Sequence, residues 1–272
     1  MSNGISTMKV DGGQLSERNA IVTGGASGIG KATAVALAEL GADVVVTDID
    51  EAGGARVAEA VGGSFAMLDV GDPAAWDRVV SMFGPFDIAF LNAGISTQQG
   101  LPPTEGNPLV ALTDDAYRRI MGINVDGVVF GAQAVMPAMV ERGSGDIVVT
   151  ASMAGLHPIA LDPIYGLTKH AVVGLVRSMA AGIEQLPDAP DVCVSAICPG
   201  FVDTAIVGPE LRTIVEQRGL PLMGPDDVAD VVLRSLSERV QGAQWIVWPG
   251  IEPRVYRWNH GIIDADGEGH AS

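Results

Sequence analysis

The chain has 272 residues, of which 47% are hydrophobic, so it can bury a sizeable core in one or two domains. Its 33 acidic residues outnumber 16 basic ones and give a formal net charge of −17, which argues against nucleic-acid binding, because that requires concentrated lysine and arginine. The sequence contains no run of about 18 uncharged apolar residues, so we expect no membrane span.

Residues 1–14 are polar and glycine-rich and lack the apolar centre of a secretory signal, which predicts a flexible N-terminal tail. The two cysteines, Cys193 and Cys198, lie on one predicted strand at an odd spacing and therefore on opposite faces. This spacing predicts two free, buried thiols and no disulfide. Free thiols are typical of a reducing compartment, so we expect a cytoplasmic protein.

Short apolar runs alternate with helical patterns along the chain, and several runs are apolar at every position, as in strands covered on both faces. This alternation predicts right-handed βαβ units in a single domain over residues 15–250. The expected fold is a doubly wound α/β parallel sheet of about seven strands, with helices on both faces. The predicted strands are 20–22, 44–47, 65–68, 88–91, 147–150, 192–197 and 245–247, and the main predicted helices are 31–40, 73–82, 114–139, 165–186 and 226–236.

A glycine-rich turn joins the first predicted strand to the helix that follows it. Glycines in such a turn let the backbone approach a pyrophosphate, and the helix N-terminus offers unpaired N–H groups and a positive dipole end. The strand before and the helix after are the context that a dinucleotide-binding turn requires. The expected cofactor contacts in this turn are Gly24, Ser27, Gly28, Ile29 and Gly30.

The second predicted strand ends at Asp48, about 20 residues after the glycine turn. A carboxylate at this place can accept hydrogen bonds from the adenosine ribose and repels a 2′-phosphate. No lysine or arginine occupies residues 25–29 or 49–50, so the sequence favours NAD over NADP. Alternatively, Asp48 caps the helix that starts near Asp50.

Tyr165 and Lys169 lie four residues apart on a predicted helix, and hence on one face. A nearby ammonium stabilises a phenolate and lowers the phenol pKa, so Tyr165 can exchange a proton with an alcohol or a carbonyl. Ser152 follows the fifth predicted strand, at the sheet edge where ligands bind in open α/β folds. Its hydroxyl can hydrogen-bond the substrate oxygen, although it could also cap a turn.

Together these features resemble the short-chain dehydrogenase/reductase family, over roughly residues 18–250. The resemblance rests on the glycine turn, Asn92-Ala93-Gly94 after the fourth strand, Asn124 in a helix, Ser152, Tyr165, Lys169, Pro199-Gly200 and Thr204. It implies a Rossmann-type fold and reversible hydride transfer between NAD(H) and a secondary alcohol or ketone. The implied catalytic residues are Asn124, Ser152, Tyr165 and Lys169.

The resemblance also implies further roles in the site. Lys169 would hold the nicotinamide ribose, and Asn124 would anchor a relay water through a helix distortion that Gly122 and Gly127 permit. The other implied cofactor contacts are Asp69 and Val70 beside the adenine, Asn92, Ala93 and Gly94 under the adenosine ribose, and Pro199, Gly200, Val202 and Thr204 near the nicotinamide. Asp69 could equally cap a helix before Pro73. The family implies a homotetramer, or else a dimer, built on helices 126–139 and 165–186.

Two features depart from the commonest family pattern. Thr168 stands where serine is more usual, and the last predicted strand continues into Trp248-Pro249-Gly250 and an aromatic stretch ending at Trp258. We expect residues 251–272 to form a C-terminal tail, aromatic and then acidic, whose acidic end frays. The aromatic part could cover the active site, contact a neighbouring subunit or cover its own domain.

The substrate pocket is expected from loops 95–108, 153–164 and 203–221, whose apolar content favours a small-molecule alcohol or ketone with apolar bulk. A contact from His157 is possible, although a loop histidine more often faces solvent. No cluster at ligand spacing indicates a metal. Two alternatives to a dehydrogenase are open: an epimerase or dehydratase that retains NAD, and a non-enzymatic NAD-binding sensor. The first usually has a larger C-terminal domain, and the second would be expected to lose part of the four-residue set.

Overall fold

The computed structural model describes residues 14–97, 109–188, 190–208 and 219–258, and residues 212, 213, 215 and 217 between the last two ranges. The expected N-terminal tail at 1–13, most of the loop 95–108 and the acidic C-terminal end therefore lie outside the described residues.

The described strands form one eight-stranded sheet in the order β3-β2-β1-β4-β5-β6-β7-β8. The first seven strands pair in parallel and β8 pairs antiparallel with β7. The strand order reverses beside β1, so a crevice opens between β1 and β4 at the carboxyl edge of the sheet. The strands are β1 (Asn19–Thr23), β2 (Asp43–Asp48), β3 (Ser64–Met67), β4 (Ile88–Leu91), β5 (Ser144–Thr150), β6 (Asp191–Pro199), β7 (Gln244–Trp248) and β8 (Ile251–Val255).

Helices cover both faces of the sheet, as the doubly wound prediction requires. They are α1 (Gly28–Glu39), α2 (Glu51–Val61), α3 (Pro73–Phe83), α4 (Asp114–Met121), α5 (Gly127–Arg142), α6 (Pro163–Glu184) and α7 (Pro225–Glu238). Successive residues of β1 belong to different core clusters, because neighbouring side chains of a strand point to opposite faces of the sheet. Ile21 lies in one cluster and Val22 lies in the other. One cluster contains Trp76 of α3, Val135 of α5 and Val176 of α6, and the other contains Leu37 of α1, Val57 of α2 and Val232 of α7.

The eighth strand corrects the expected boundary of the C-terminal tail. Residues 251–255 were expected outside the domain, but they continue the sheet as an antiparallel edge strand. Pro253 interrupts the strand-like pattern, and proline is tolerated in a strand chiefly at a sheet edge. Beyond β8, the Trp258 ring lies 4.3 Å from the guanidinium carbon of Arg177 and 5.0 Å from the Tyr256 ring, so the aromatic segment covers its own domain.

The predicted helix 114–139 is divided in the structure. A π-helical turn at Gly122–Asp126 separates α4 from α5. Within the continuous stretch Asp114–Arg142, an 18-residue window has a mean hydropathy of 1.4, so the stretch meets the length and composition criteria for a membrane span. Core helices of soluble proteins meet the same criteria, and residues of α5 such as Val135 and Met139 lie in a core cluster.

A buried carboxylate joins three segments at the amino edge of the sheet. Asp146 of β5 accepts from Arg18 Nη2 at 2.7 Å and from Arg239 Nη1 at 2.5 Å, and its side chain is only 3% exposed. Arg239 also pairs with Asp191 at 2.7 Å. Burial raises the pKa of Asp146, and the two guanidinium groups oppose that rise. The two cysteines are free and buried, as predicted.

Candidate active site

A cavity of about 890 Å³ opens at the carboxyl edge of the sheet. It extends from the glycine turn, past the ends of β2 to β5, to the segment that follows β6. The predicted site residues that line it are Gly24, Ser27, Gly28, Ile29, Asp48, Asp69, Val70, Asn92, Ala93, Gly94, Ser152, Tyr165, Lys169, Pro199, Gly200, Val202 and Thr204. The two other predicted site residues, Gly30 and Asn124, do not line the cavity.

The glycine turn directs the N-terminus of α1 into this cavity. Gly24 has φ +65° and Gly28 has φ +52°, in the left-handed region that glycine adopts without strain. Ser27 is the N-cap of α1, and its side chain makes no capping hydrogen bond. A Cβ on Gly30 would overlap the carbonyl oxygen of Gly24, so Gly30 permits close packing of helix and turn and does not line the cavity.

Thr23 and Asn92 tie the ends of three strands together beneath the cavity. Asn92 Nδ2 donates to the Thr23 carbonyl at 3.0 Å, and its Oδ1 accepts from Thr150 Oγ1 at 3.0 Å. The Thr23 hydroxyl accepts from the backbone N–H groups of Asn92 and Ala93, at 2.8 and 3.1 Å. Thr23 was not predicted from the sequence, because its role depends on the neighbouring β4 backbone.

Asp48 lines the cavity and does not cap a helix. Its carboxylate accepts from the backbone N–H groups of Ala26 and Asp50, both at 3.0 Å. The N-cap of α2 is Asp50, whose side chain accepts from Gly53 N at 2.9 Å. The capping alternative for Asp48 is therefore wrong.

Asp69 likewise does not cap the helix that begins at Pro73. Its carboxylate accepts from Gly71 N at 3.0 Å, whereas Asp72 is the N-cap of α3. Both carboxylates line the cavity that the N-terminus of α1 enters. Closely approachable backbone, a helix N-terminus and a carboxylate after β2 are the groups that fit the phosphates and ribose of a dinucleotide.

Ser152, Tyr165 and Lys169 come together at the other end of the cavity. Lys169 is only 3% exposed, donates from Nζ to the Thr150 carbonyl at 2.7 Å, and lies 5.6 Å from the centroid of the Tyr165 ring. The Ser152 side chain lies close enough to Tyr165 to lower the pKa of its phenol. Ser152 Oγ also accepts from Ala154 N at 3.1 Å and caps the short 3₁₀ turn Met153–Gly155, so it is both a turn cap and a partner of the phenol.

Burial dominates the proton affinities of this pair. It raises the pKa of Tyr165 to about 12, which the Ser152 hydrogen bond opposes and the charges of Asp162 and Cys198 reinforce. Burial also lowers the pKa of Lys169 to about 8. The expected lowering of the Tyr165 pKa by Lys169 is therefore not found in the protein alone, because the cost of desolvating the phenolate is larger.

Asn124 lies in the π-helical turn, fully buried beside the cavity. Its Oδ1 accepts from Ile95 N at 2.8 Å, and its Nδ2 donates to the Ile95 carbonyl at 2.9 Å and to Thr168 Oγ1 at 3.1 Å. Thr168 in turn donates to the Tyr165 carbonyl at 2.8 Å. Asn124 thus joins the loop after β4 to the helix of Tyr165, and threonine supplies the hydroxyl for which the family usually has serine.

Two residues that line the cavity were not predicted as site residues from the sequence. Asp162 caps α6 through a 2.9 Å hydrogen bond from Tyr165 N and also accepts from Thr97 N at 2.8 Å. Trp248 packs so closely on Gly200 that a Cβ there would lie 2.6 Å from its ring. The unusual Trp248-Pro249-Gly250 run was the signal that could have identified this wall.

His157, for which the sequence favoured a solvent-facing position over a substrate contact, lies at the edge of the cavity. His157 is exposed and lines the cavity, and its ring centroid lies 6.2 Å from that of Tyr256 in an edge-to-face arrangement. Across the described ranges, no group of three or more His, Cys, Asp or Glu side chains could hold a metal ion.

The doubly wound sheet, the glycine turn and the buried tyrosine–lysine pair define a dinucleotide-dependent α/β oxidoreductase. Residues 18–214, well over half of the chain, match the family model described as short chain dehydrogenase. The chain belongs to this family, as the sequence motifs predicted.

Curated relatives and a solved structure agree with that assignment. The chain is 33% identical over 253 residues to a cyclohexanol dehydrogenase from Acinetobacter sp. strain SE19, with coverage of 88% of this chain and 96% of the relative. It is 35% identical over 203 residues to a 2-keto-3-deoxy-L-fuconate dehydrogenase from Xanthomonas campestris, covering 74% of this chain but only 64% of that relative. A 3-oxoacyl-[acyl-carrier protein] reductase from Brucella melitensis, solved with bound NAD, superposes with a TM-score of 0.74 at 31% identity and covers 88% and 92% of the two chains.

Proposed function

We propose that this protein is an NAD-dependent dehydrogenase that interconverts an alicyclic secondary alcohol and its ketone. The observation that carries the proposal is the placement of Ser152, Tyr165 and Lys169 in one cavity with the glycine turn. A cofactor on the turn and a substrate at the tyrosine would then share a single enclosed space. The NAD-retaining epimerase, the dehydratase and the sensor have no comparable support among the described residues.

The roles of the side chains follow from their contacts. The Tyr165 hydroxyl exchanges the proton of the substrate oxygen, and Ser152 hydrogen-bonds that oxygen and steadies its developing charge. With a pKa of about 12, the phenol holds its proton at neutral pH and is ready to donate it to a carbonyl. Oxidised NAD supplies the hydride acceptor and a positive ring, and that charge would favour the phenolate needed to deprotonate an alcohol.

Lys169 and Asn124 complete the proposed set. Lys169 keeps a proton at neutral pH, and its Nζ can donate both to the Thr150 carbonyl and to a ribose hydroxyl. Asn124 is assigned as the residue that fixes the loop at Ile95 against α6 and supports a relay water. Its hydrogen bonds to Ile95 and Thr168 support its role in fixing the loop against α6.

Asp48 supports NAD as the cofactor. Its carboxylate lines the cavity directly after β2 and is held by Ala26 of the glycine turn. A ribose 2′-hydroxyl can donate to it, whereas a 2′-phosphate would meet a like charge. The cavity wall also contains Arg118 and Arg119 of α4, but no lysine or arginine occupies residues 25–29 or 49–50 beside Asp48.

The substrate end of the cavity supports an alicyclic alcohol. Apolar side chains predominate there, with Met153 and Ile159 near Ser152 in sequence, Phe201 after β6 and Trp248 at the end of β7. A flat apolar wall and a few hydroxyl groups suit a carbon ring with one reacting oxygen. The relative named cyclohexanol dehydrogenase supports the same class.

The assembly and location are also proposals. Tyr117 on α4 and Leu167 on α6 are exposed apolar side chains, which supports a homotetramer, or else a dimer, built through the helical faces. The two buried free thiols support a cytoplasmic location.

Nicotinamide absorbance during incubation with cyclohexanol, larger alicyclic alcohols and linear secondary alcohols tests the proposal, with NAD and NADP compared side by side. We expect turnover of an alicyclic alcohol with NAD and little with NADP. Turnover with NADP alone would contradict the role of Asp48. Tight, non-exchanging NAD without turnover of any alcohol would instead favour the epimerase or the sensor.

A further inference from the structure

A buried hydroxyl at the substrate end of the cavity has no role in the proposed reaction. Ser96 lines the cavity, its residue is 8% exposed, and its Oγ has no hydrogen-bond partner within the described part of the chain. A hydroxyl left without a partner in a protein interior costs about 1–3 kcal/mol. Such groups are rare unless a ligand or a bound water satisfies them.

The backbone around Ser96 is held on both sides. The residue before it, Ile95, exchanges two hydrogen bonds with the Asn124 side chain, at 2.8 and 2.9 Å. The residue after it donates from Thr97 N to Asp162 Oδ2 at 2.8 Å, and the other oxygen of Asp162 accepts from Tyr165 N at 2.9 Å. Ser96 is therefore fixed relative to the helix of the catalytic tyrosine.

This position lies on the substrate side. Ser96 lies between Asn92, which donates to the Gly24 carbonyl of the glycine turn, and Thr97, whose N–H donates to Asp162 at the N-terminus of α6. Its hydroxyl is buried in the cavity wall and can turn among the three staggered χ1 rotamers of serine. A serine hydroxyl can both donate and accept, so it can bind either a hydroxyl or a carbonyl oxygen.

We propose that Ser96 is a specificity-determining residue that binds a second oxygen of the substrate, so the preferred ligand is an alicyclic diol or hydroxyketone. The assignment rests on the proposed function, because it extends the substrate class of the same cavity. A substrate with one oxygen leaves the Ser96 hydroxyl unsatisfied, and a second oxygen removes that cost.

The test compares wild type and Ser96→Ala on cyclohexanol, cyclohexane-1,2-diol and cyclohexane-1,4-diol with NAD. We expect the substitution to lower kcat/KM for one of the diols about 3- to 10-fold, the value of one hydrogen bond, and to leave cyclohexanol within about 2-fold. The affinity for NAD should be unchanged. Equal effects on all three alcohols, no effect on any, or a parallel loss of NAD affinity would overturn the assignment while leaving the proposed dehydrogenase intact.

Thr33 provides a matched control. It is fully buried in α1, its hydroxyl also has no partner among the described residues, and it does not line the cavity. Thr33→Val should leave the ratio of diol to cyclohexanol turnover unchanged. The melting temperature adds a second readout: Ser96→Ala should match or exceed wild type, because an unsatisfied hydroxyl is removed, and a clear drop would indicate a structural hydroxyl instead.

Binding separates the two hypotheses if wild type oxidises none of the three alcohols. Calorimetry of the protein saturated with NAD then measures the affinity for each diol. A diol that binds, and binds about 3- to 10-fold more weakly to Ser96→Ala, would support the Ser96 assignment and overturn the proposed reaction on alicyclic alcohols. Identical or undetectable diol binding in both proteins would overturn both.

Discussion

The buried ammonium of Lys169 makes a quantitative prediction about stability and pH. Burial lowers the pKa of Lys169 from 10.5 to about 8 in the folded protein. Between these two values the unfolded chain holds a proton that the folded chain has released. The wild type therefore gains stability with rising pH, relative to a variant without the amine. The full difference corresponds to about 3 kcal/mol, at roughly 1.4 kcal/mol per pKa unit.

Urea unfolding of wild type and Lys169→Met without cofactor, at pH 7, 8, 9 and 10, measures this effect. The free energy of unfolding of wild type minus that of the variant should rise across the series, with most of the increase above pH 8. Taking the difference cancels the titration of groups that do not interact with Lys169, including the Cys193 thiol, whose pKa is raised by burial. Because the Lys169 charge lowers the pKa of Cys198, the series is measured in a Cys198→Ala background. Lys31→Met, at an exposed position of α1, controls for the loss of one positive charge.

A difference that stays constant within about 0.5 kcal/mol from pH 7 to pH 10 would refute the reasoning, since it would mean that Lys169 is solvated in the folded state. A difference that falls with pH would mean that a negative partner stabilises the ammonium. In either case the roles drawn from the buried tyrosine–lysine pair would need revision.

Three further predictions concern other parts of the molecule. Tyr165→Phe should lower kcat by about 10²- to 10⁴-fold, the usual contribution of a general acid or base, and leave NAD affinity by fluorescence titration nearly unchanged; normal turnover would disprove its role. Asp48→Ala should weaken NAD about 10- to 100-fold by loss of a charged hydrogen bond and reduce discrimination against NADP, and an unaltered NAD-to-NADP ratio of kcat/KM would rule this out. Asp146→Asn should cost about 3–5 kcal/mol in urea unfolding, because Arg18 and Arg239 lose a buried partner, while NAD affinity stays the same; wild-type stability would show that the network contributes nothing.

Those features of the fold that depend on local sequence could be predicted from the sequence alone. Continuous apolar runs indicated strands covered on both faces, and the glycine turn between a strand and a helix indicated a dinucleotide site. The i, i+4 spacing of Tyr165 and Lys169 placed both side chains on one helix face. Each of these inferences depends on residues that are close in the chain, and for that reason each could be made without coordinates.

The eighth strand could not be predicted from local patterns of this kind. Residues 251–255 contain a proline and no clear alternation, so they were expected in a tail. Their pairing with β7 depends on a free sheet edge, which exists only after the other strands have assembled. The seven predicted strands, by contrast, were all found.

Sequence alone determined the class of protein and the residues offered for catalysis, because spacing and strand–helix context specify which side chains share a face or an edge. Only the tertiary structure decided how those side chains behave. It showed that burial, and not the Lys169 charge, dominates the pKa of Tyr165, and that Asp48 binds the backbone of the glycine turn. It also showed that the Ser96 hydroxyl has no partner among the described residues. Desolvation and hydrogen-bond satisfaction depend on every atom packed around a group, and those atoms come from segments far apart in the chain.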